Sequence, residues 1–500
     1  MFRSFFAFAV ACFLWVASSS ALAQVPTPTV EGPVASPAGA FVQSTNFDLT
    51  EVGYVQEEYF LSGTARAFTT ATPLGNDGHW TVTPGEATAT YKTRMVVYRP
   101  IERRKFNGTV VVEWLNVSGG VDAAPDWTLA HAEFTRSGYV WVGVSAQFTG
   151  VEGGPGLVPI PGLDGNLGLK QVNPARYGSL VHPGDSFSYD IFSQAAQALR
   201  HPSGPGALGT LTIKKMIATG ESQSAFRMVT YVNAIHPLTH LFDGFFVHSR
   251  GTVLPSPLSQ SPQTVIPTPG IVPIRSDVDV PVLMFETETD LTFLGFAATI
   301  DSVTARQADA RNFRLWEVAG TAHADAYLLK TGMSDRGASP SIVDLVITNT
   351  PIGGLVECST PINAGPQHFV AKAAFAALQR WVRRGKAPKS APRLELEAGP
   401  GVTIKTDTNG NAVGGIRTPQ VDVPLATFTG QQAQGSSLLC LLLGTTMPFD
   451  ATKLQTLYPT HKGFVAAYNK SLKRAVKAGY ILRPDAKLMR TWAVGSNVGS

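Results

Sequence analysis

The chain is poor in charge and in cysteine for its length. Only 15% of its 500 residues are Asp, Glu, Lys or Arg, the formal net charge is +4, and there are three cysteines. So small a net charge steers little, and nucleic-acid binding would need a broader basic face than the basic clusters of this chain offer. Arg103-Arg104-Lys105 and Arg383-Arg384 with Lys386 are compact clusters that read as solvated surface. No apolar run beyond the N-terminus approaches the ~20 residues of a membrane span. Nothing repeats at a fixed period, and no dinucleotide fingerprint with its following acidic residue is present. The 44% hydrophobic content is nonetheless ample for a large core.

What the N-terminus does have is Arg3, an apolar stretch from Phe5 to Ala17, three serines and Ala21-Leu22-Ala23. That is the charged start, short apolar region and Ala-x-Ala cleavage site of a secretory signal, so residues 1–23 are expected to be removed and the protein to be secreted or periplasmic. Removal takes Arg3 and Cys12, which lowers the charge from +4 to +3 and leaves Cys358 and Cys440. An even pair in an exported chain favours a disulfide, with two buried thiols as the alternative. The Pro-rich stretch from Val25 to Pro37 reads as an extended, poorly ordered leader.

The most informative segment is Gly220-Glu221-Ser222-Gln223-Ser224. Lys215 to Thr219 before it reads as a short buried strand. Ala225, Met228, Val229 and Val232 after it fall on one helical face, which should stop before Pro237. Strand, sharp turn, serine, helix is the order of a nucleophile elbow, where small neighbours let strand and helix cross closely. Gly220 meets that need, whereas Ser224 puts a Cβ at the crossing. A second Gly-x-Ser-x-Ser, Gly337 to Ser341, has Pro340 after its serine, which lacks the N–H an oxyanion requires, so it reads as a turn.

Partners are expected in the chain order serine, acid, histidine, each after a strand. Val280 to Phe285 is an apolar run followed by Glu286-Thr287-Glu288-Thr289-Asp290. Glu286 falls in the strand, Asp290 is expected to be the acid, and Glu288 is its competitor. Phe313 to Val318 reads as the next strand and runs into Gly320-Thr321-Ala322-His323, which places His323 as general base, with His368 as the fallback. The oxyanion would take the Gln223 N–H and a second donor at or beside Val117, in the Leu115 to Gly120 turn after the strand Thr109–Trp114. His236-Pro237-Leu238-Thr239-His240 has a metal-ligand spacing. Pro237 should break the helix there and keep the imidazoles apart, so the pair reads as structural. No metal or cofactor is expected.

These segments, from Gly108 to Gly120, Ala124 to Trp127, Gly220 to Ser224, Glu288 to Asp290 and Gly320 to Asp325, resemble the secreted bacterial α/β-hydrolase-domain family. The likeness continues through Pro361 to His368, Gly414 to Pro419 and the C-terminal helix. It implies an α/β-hydrolase fold, a mostly parallel sheet with helices on both faces, and a Ser–acid–His hydrolase, but no particular ester. The alternating strands and helices agree with that fold. The core is expected over residues 24–385 and a packed extension over 386–500. Phe148 to Gly184 and Leu254 to Pro273 are candidates for lid or substrate loops. The expected activity is hydrolysis of a small-molecule carboxylic ester. An amidase or peptidase with the same residues is the first alternative, and a non-catalytic exported binding protein the second.

Overall fold

Thr109–Trp114 is buried along its whole length, as a β-branched run covered on both sides should be. It is the fourth of nine strands in one sheet, ordered β1-β2-β3-β5-β4-β6-β7-β8-β9. These are β1 (Thr29–Glu31), β2 (Tyr54–Thr69), β3 (Thr83–Pro100), β4 (Thr109–Trp114), β5 (Val140–Val144), β6 (Lys215–Glu221), β7 (Gly244–His248), β8 (Val282–Glu286) and β9 (Phe313–Glu317). The computed structural model describes residues 24–35, 39–158, 167–204, 206–251, 255–270, 272–292, 306–397, 402–430 and 437–500. Residues 1–23, read from the sequence as a secretory signal, therefore lie outside the described residues.

From β5 to β9 the sheet is parallel, and β1, β2 and β3 extend it in antiparallel fashion. Parallel neighbours need crossovers, and helices supply them on both faces. Helices α1 (Pro125–Ser137) and α4 (Gln367–Arg384) cover one face, where Trp127, Phe134, Trp141, Phe375 and Trp381 share a core. Helices α2 (Ser188–Arg200) and α3 (Gln223–Thr230) cover the other, with Trp114, Phe192, Met228 and Tyr231. Along β4, Val110, Val112 and Trp114 serve the second core while Val111 serves the first, which is the period-two alternation of a strand.

Beyond the core, the predicted apolar stripe Phe464, Tyr468, Leu472 and Ala475 lies buried in α5 (His461–Ala478), which ends at Gly479. It packs with Met489 of α6 (Arg483–Gly495) and with Phe369 of α4. Asp485 of α6 binds Arg136 at 2.6 Å and Lys372 at 3.3 Å, so the C-terminal helices are tied to α1 and α4 by buried charge as well as by apolar contact. Cys358 and Cys440 form a disulfide with Cα atoms 5.7 Å apart.

Two expectations are corrected. The segment after Gln24 is not a loose leader: Thr29–Glu31 pairs with Phe60–Ser62 as an edge strand, and Val25 is buried. Nor does Pro237 end the helix. After α3 the chain continues through Tyr231–Ile235 into the turn His236–Thr239, where proline sits in the first turn and its missing N–H goes unneeded. As a result His236 and His240 converge on one carboxylate, that of Asp279, at 2.9 and 3.1 Å.

Candidate active site

The sharp turn between β6 and α3 holds Ser222 at φ 57°, a left-handed conformation that non-glycine residues adopt rarely and at a cost of about 1–3 kcal/mol. Its N–H donates to the carbonyl of His248 at the end of β7 (2.9 Å), and its own carbonyl accepts from Phe226 N–H (3.1 Å). Gly220 is required here, because a Cβ would lie 2.8 Å from the Ser224 carbonyl oxygen and 3.0 Å from Ser224 Cβ. Ser224 itself fits, fully buried, at the crossing.

Ser222 Oγ donates to His323 Nε2 at 2.7 Å, and His323 Nδ1 donates to Asp290 Oδ1 at 2.7 Å, the tautomer that an ionised carboxylate requires. His323 stands in the loop after β9, and Asp290 in the short helical turn Glu288–Thr292 after β8, so all three cluster at the C-terminal ends of the parallel strands. Burial opposes the Asp290 charge. The His323 imidazole, the Thr287 N–H and the hydroxyl of Ser249 outweigh it and hold the carboxyl below its ordinary range. Burial likewise opposes protonation of His323, but Asp290 and then Glu221 raise its pKa.

Glu288 does not reach the histidine. Its carboxylate accepts from Gly320 N–H at 2.5 Å and from Gly430 N–H at 2.8 Å, bridging the loop before His323 to the strand Ala426–Thr429. Gly430 has to be glycine, since a Cβ would meet Thr289 N at 2.4 Å. Glu286 ends β8, as expected. The fallback His368 lies in α4 stacked on Tyr327 (3.7 Å between centroids), and burial pushes its pKa well down. Ser339 caps its own exposed turn, accepting from Ser341 N–H.

Gln223 opens α3, so its N–H has no intrahelical acceptor. In the turn after β4, the Ser118 N–H is taken by Asn116 Oδ1 (2.7 Å) and the Gly120 N–H by the Val117 carbonyl (2.9 Å). The N–H groups of Val117 and Gly119 donate to no described acceptor. A cavity of about 150 Å³ opens beside Ser222 and His323 and is lined mainly by Val158, Leu328, Leu329, Met333, Leu439 and Leu442. Of the two candidate lid segments, the first contributes Val158, and residues 159–166 lie outside the described residues. No described residue of 255–273 lines the cavity.

Sequence reasoning missed several neighbours. Glu221, the variable position of the pentapeptide, is buried with Oε1 3.4 Å from His323 Nε2, and Oε2 accepts from Asn116 Nδ2 at 3.0 Å. Its pKa is raised to about 7 by burial, against the pull of His323. Ser249, in a left-handed conformation (φ 54°), donates to Asp290 Oδ2 at 2.7 Å. Its place just past an apolar strand was a usable signal. Asp126 and His248, both fully buried, pair at 2.7 Å beneath the elbow.

Comparison with known proteins agrees with this architecture. A family model described as an alpha/beta hydrolase domain matches residues 25–491. No curated protein matches the chain. Among solved structures, one of the two fungal esterases from Rhizomucor miehei is 12% identical, over 55% of this chain and 77% of its own, at a TM-score of 0.29. A glucuronoyl esterase from Solibacter usitatus is 9% identical over 53% and 69%, at 0.28. An α/β serine hydrolase without lid from Xanthomonas campestris is 12% identical over 46% and 80%, at 0.25. Likeness at that level says nothing of substrate. With the family model spanning almost all of the described chain, the protein belongs to the alpha/beta hydrolase domain family.

Proposed function

We propose that the protein is an exported serine hydrolase that cleaves carboxylic esters through an acyl-enzyme. The observation that carries this is the unbroken chain from Ser222 Oγ through His323 to Asp290, with both links at 2.7 Å. Ser222 attacks the ester carbonyl while His323 takes its proton. The alkoxide leaves with that proton, and water then releases the acyl group by the same route in reverse. Asp290 orients the imidazole and balances its charge. Gln223 N–H, with a donor at Val117 or Gly119, stabilises the oxyanion.

The cavity beside Ser222 supports an apolar, compact acyl or alkyl group. Its lining carries no charged side chain besides Glu221 and His323, and an engineered void of about 150 Å³ holds a benzene-sized guest. Export is supported by the secretory signal read in residues 1–23 and by the disulfide. No helix among the described residues is long and apolar enough to cross a membrane.

The test is a panel of matched ester and amide substrates together with a fluorophosphonate probe. Labelling at Ser222 with cleavage of short-chain esters is expected. Amide cleavage at comparable rates would replace the esterase reading with that of an amidase. Absence of labelling in the folded protein would remove the hydrolase reading altogether.

A further inference from the structure

At the opposite end of β7 from the elbow, His236 and His240 meet Asp279, and their ligand atoms all lie within 4.8 Å of one another. Among the described residues this is the one group of three His, Cys, Asp or Glu side chains so arranged. His236 is buried, its ring packed edge-on against Phe245 at 5.0 Å, with no hydrogen bond at Nδ1. The imidazole is thus fixed by apolar packing, and its Nε2 points at Asp279 Oδ1 at 2.9 Å. His240 caps the turn in a left-handed conformation (φ 46°), which brings its Nδ1 to 3.1 Å from Asp279 Oδ2. A non-glycine residue held in that region marks a position that its surroundings over-determine.

We propose that His236, His240 and Asp279 form a binding site for a divalent zinc-class ion. Ligand atoms of a tetrahedral zinc stand about 3.3 Å apart, given bonds of about 2.0–2.1 Å. Each imidazole nitrogen already lies 2.9 or 3.1 Å from an oxygen of the shared carboxylate, and the three ligand atoms fall within 4.8 Å of one another, so an ion would draw together groups that have already converged. Two imidazoles and one carboxylate suit zinc and its neighbours, whereas calcium and magnesium ask for an all-oxygen shell. His240 and Asp279 are partly exposed, which leaves a fourth position for water.

The site is remote from Ser222, so its role is to join chain segments. His236 and His240 end the helical stretch that begins at the elbow, and Asp279 belongs to the segment leading into β8. A shared ion would cross-link them at the base of the sheet, some 40 residues apart in sequence. Zinc chloride titrated calorimetrically into the metal-free protein should show one tight site. His240→Ala and Asp279→Asn, both at partly exposed positions, should each weaken it at least tenfold. Zinc should raise the melting temperature of the wild type and not of either variant, and calcium should not substitute. Lack of one-to-one zinc uptake, full affinity in either variant, or equal binding of calcium would overturn the proposal.

Discussion

Glu221 Oε1 lies 3.4 Å from His323 Nε2, the nitrogen that also faces Ser222 Oγ at 2.7 Å. Asp290 and Glu221 therefore flank one imidazole from its two ends. A carboxylate at that distance repels the lone pair of the neutral ring and would attract the imidazolium formed by the proposed proton transfer from Ser222.

That geometry makes the acid limb of the pH profile a test. The base must be neutral, so kcat/KM should fall as pH drops through the raised pKa of His323. Glu221→Gln removes one of the charges that raise it, so the midpoint should move to lower pH, with turnover down about tenfold. A shift to higher pH would contradict the account.

The same substitution has a consequence for stability. The pKa of Glu221 rises on folding to about 7, so the folded state binds more protons than the unfolded state between the ordinary glutamate range and that value. Wild-type stability contributed by this group is therefore lost as pH rises through that window. Melting curves at pH 5 and pH 8 should show Glu221→Gln gaining on the wild type at the higher pH.

Ser222→Ala should reduce ester turnover by about 10³-fold or more with an unchanged circular dichroism spectrum. Asp290→Asn should cost about 10⁴ by disfavouring the working tautomer. Glu288→Gln should instead be read mainly in stability, at about 1–3 kcal/mol, because it leaves one of the Gly320 and Gly430 N–H groups poorly bonded. Equal activity losses in the two acid variants would undo this division of roles.

Gly220→Ala should be poorly tolerated. The new Cβ meets backbone, the Ser224 carbonyl at 2.8 Å, and backbone yields less readily than a flexible side chain. A loss of about 1–3 kcal/mol with a lowered kcat is expected. Wild-type melting and turnover in this variant would show that the elbow relaxes more easily than its packing indicates.

The disulfide reaches the cavity through its neighbours. Leu439 and Leu442 flank Cys440 and line the space beside Ser222. Replacing both cysteines by alanine should lower stability by about 4 kcal/mol at most and raise KM more than it lowers kcat. Thiol titration of the denatured, unreduced protein should find no free thiol, and two after reduction.

Much of the core was legible from local pattern. Val110 to Val112, the Ala225–Val232 face and the stripe from Phe464 to Ala475 announce their elements because burial of a strand or helix imposes a period of two or of 3.6 on the chain itself. The order Ser222, Asp290, His323 was legible too, since each residue follows a strand of an alternating α/β series and parallel strands bring their C-terminal ends to one edge. His236 and His240 were misread because helix breaking by proline depends on whether its N–H position falls in a first turn, which residue spacing leaves open.

The sequence by itself determined β4, β6, β8 and β9, the helix after the elbow, and hence the edge where Ser222 stands, while β1 and the stretch past Pro237 escaped it. Only the tertiary structure decided that Asp290 and not Glu288 turns to His323, that Glu221 and Ser249 stand beside them, and that Leu439 and Leu442 wall the cavity. The reason is physical. Periodic burial is written along the chain, whereas the aim of a side chain across strand ends is set by register, turn geometry and the competition of several donors for one carboxylate, all of which exist only once distant segments have packed.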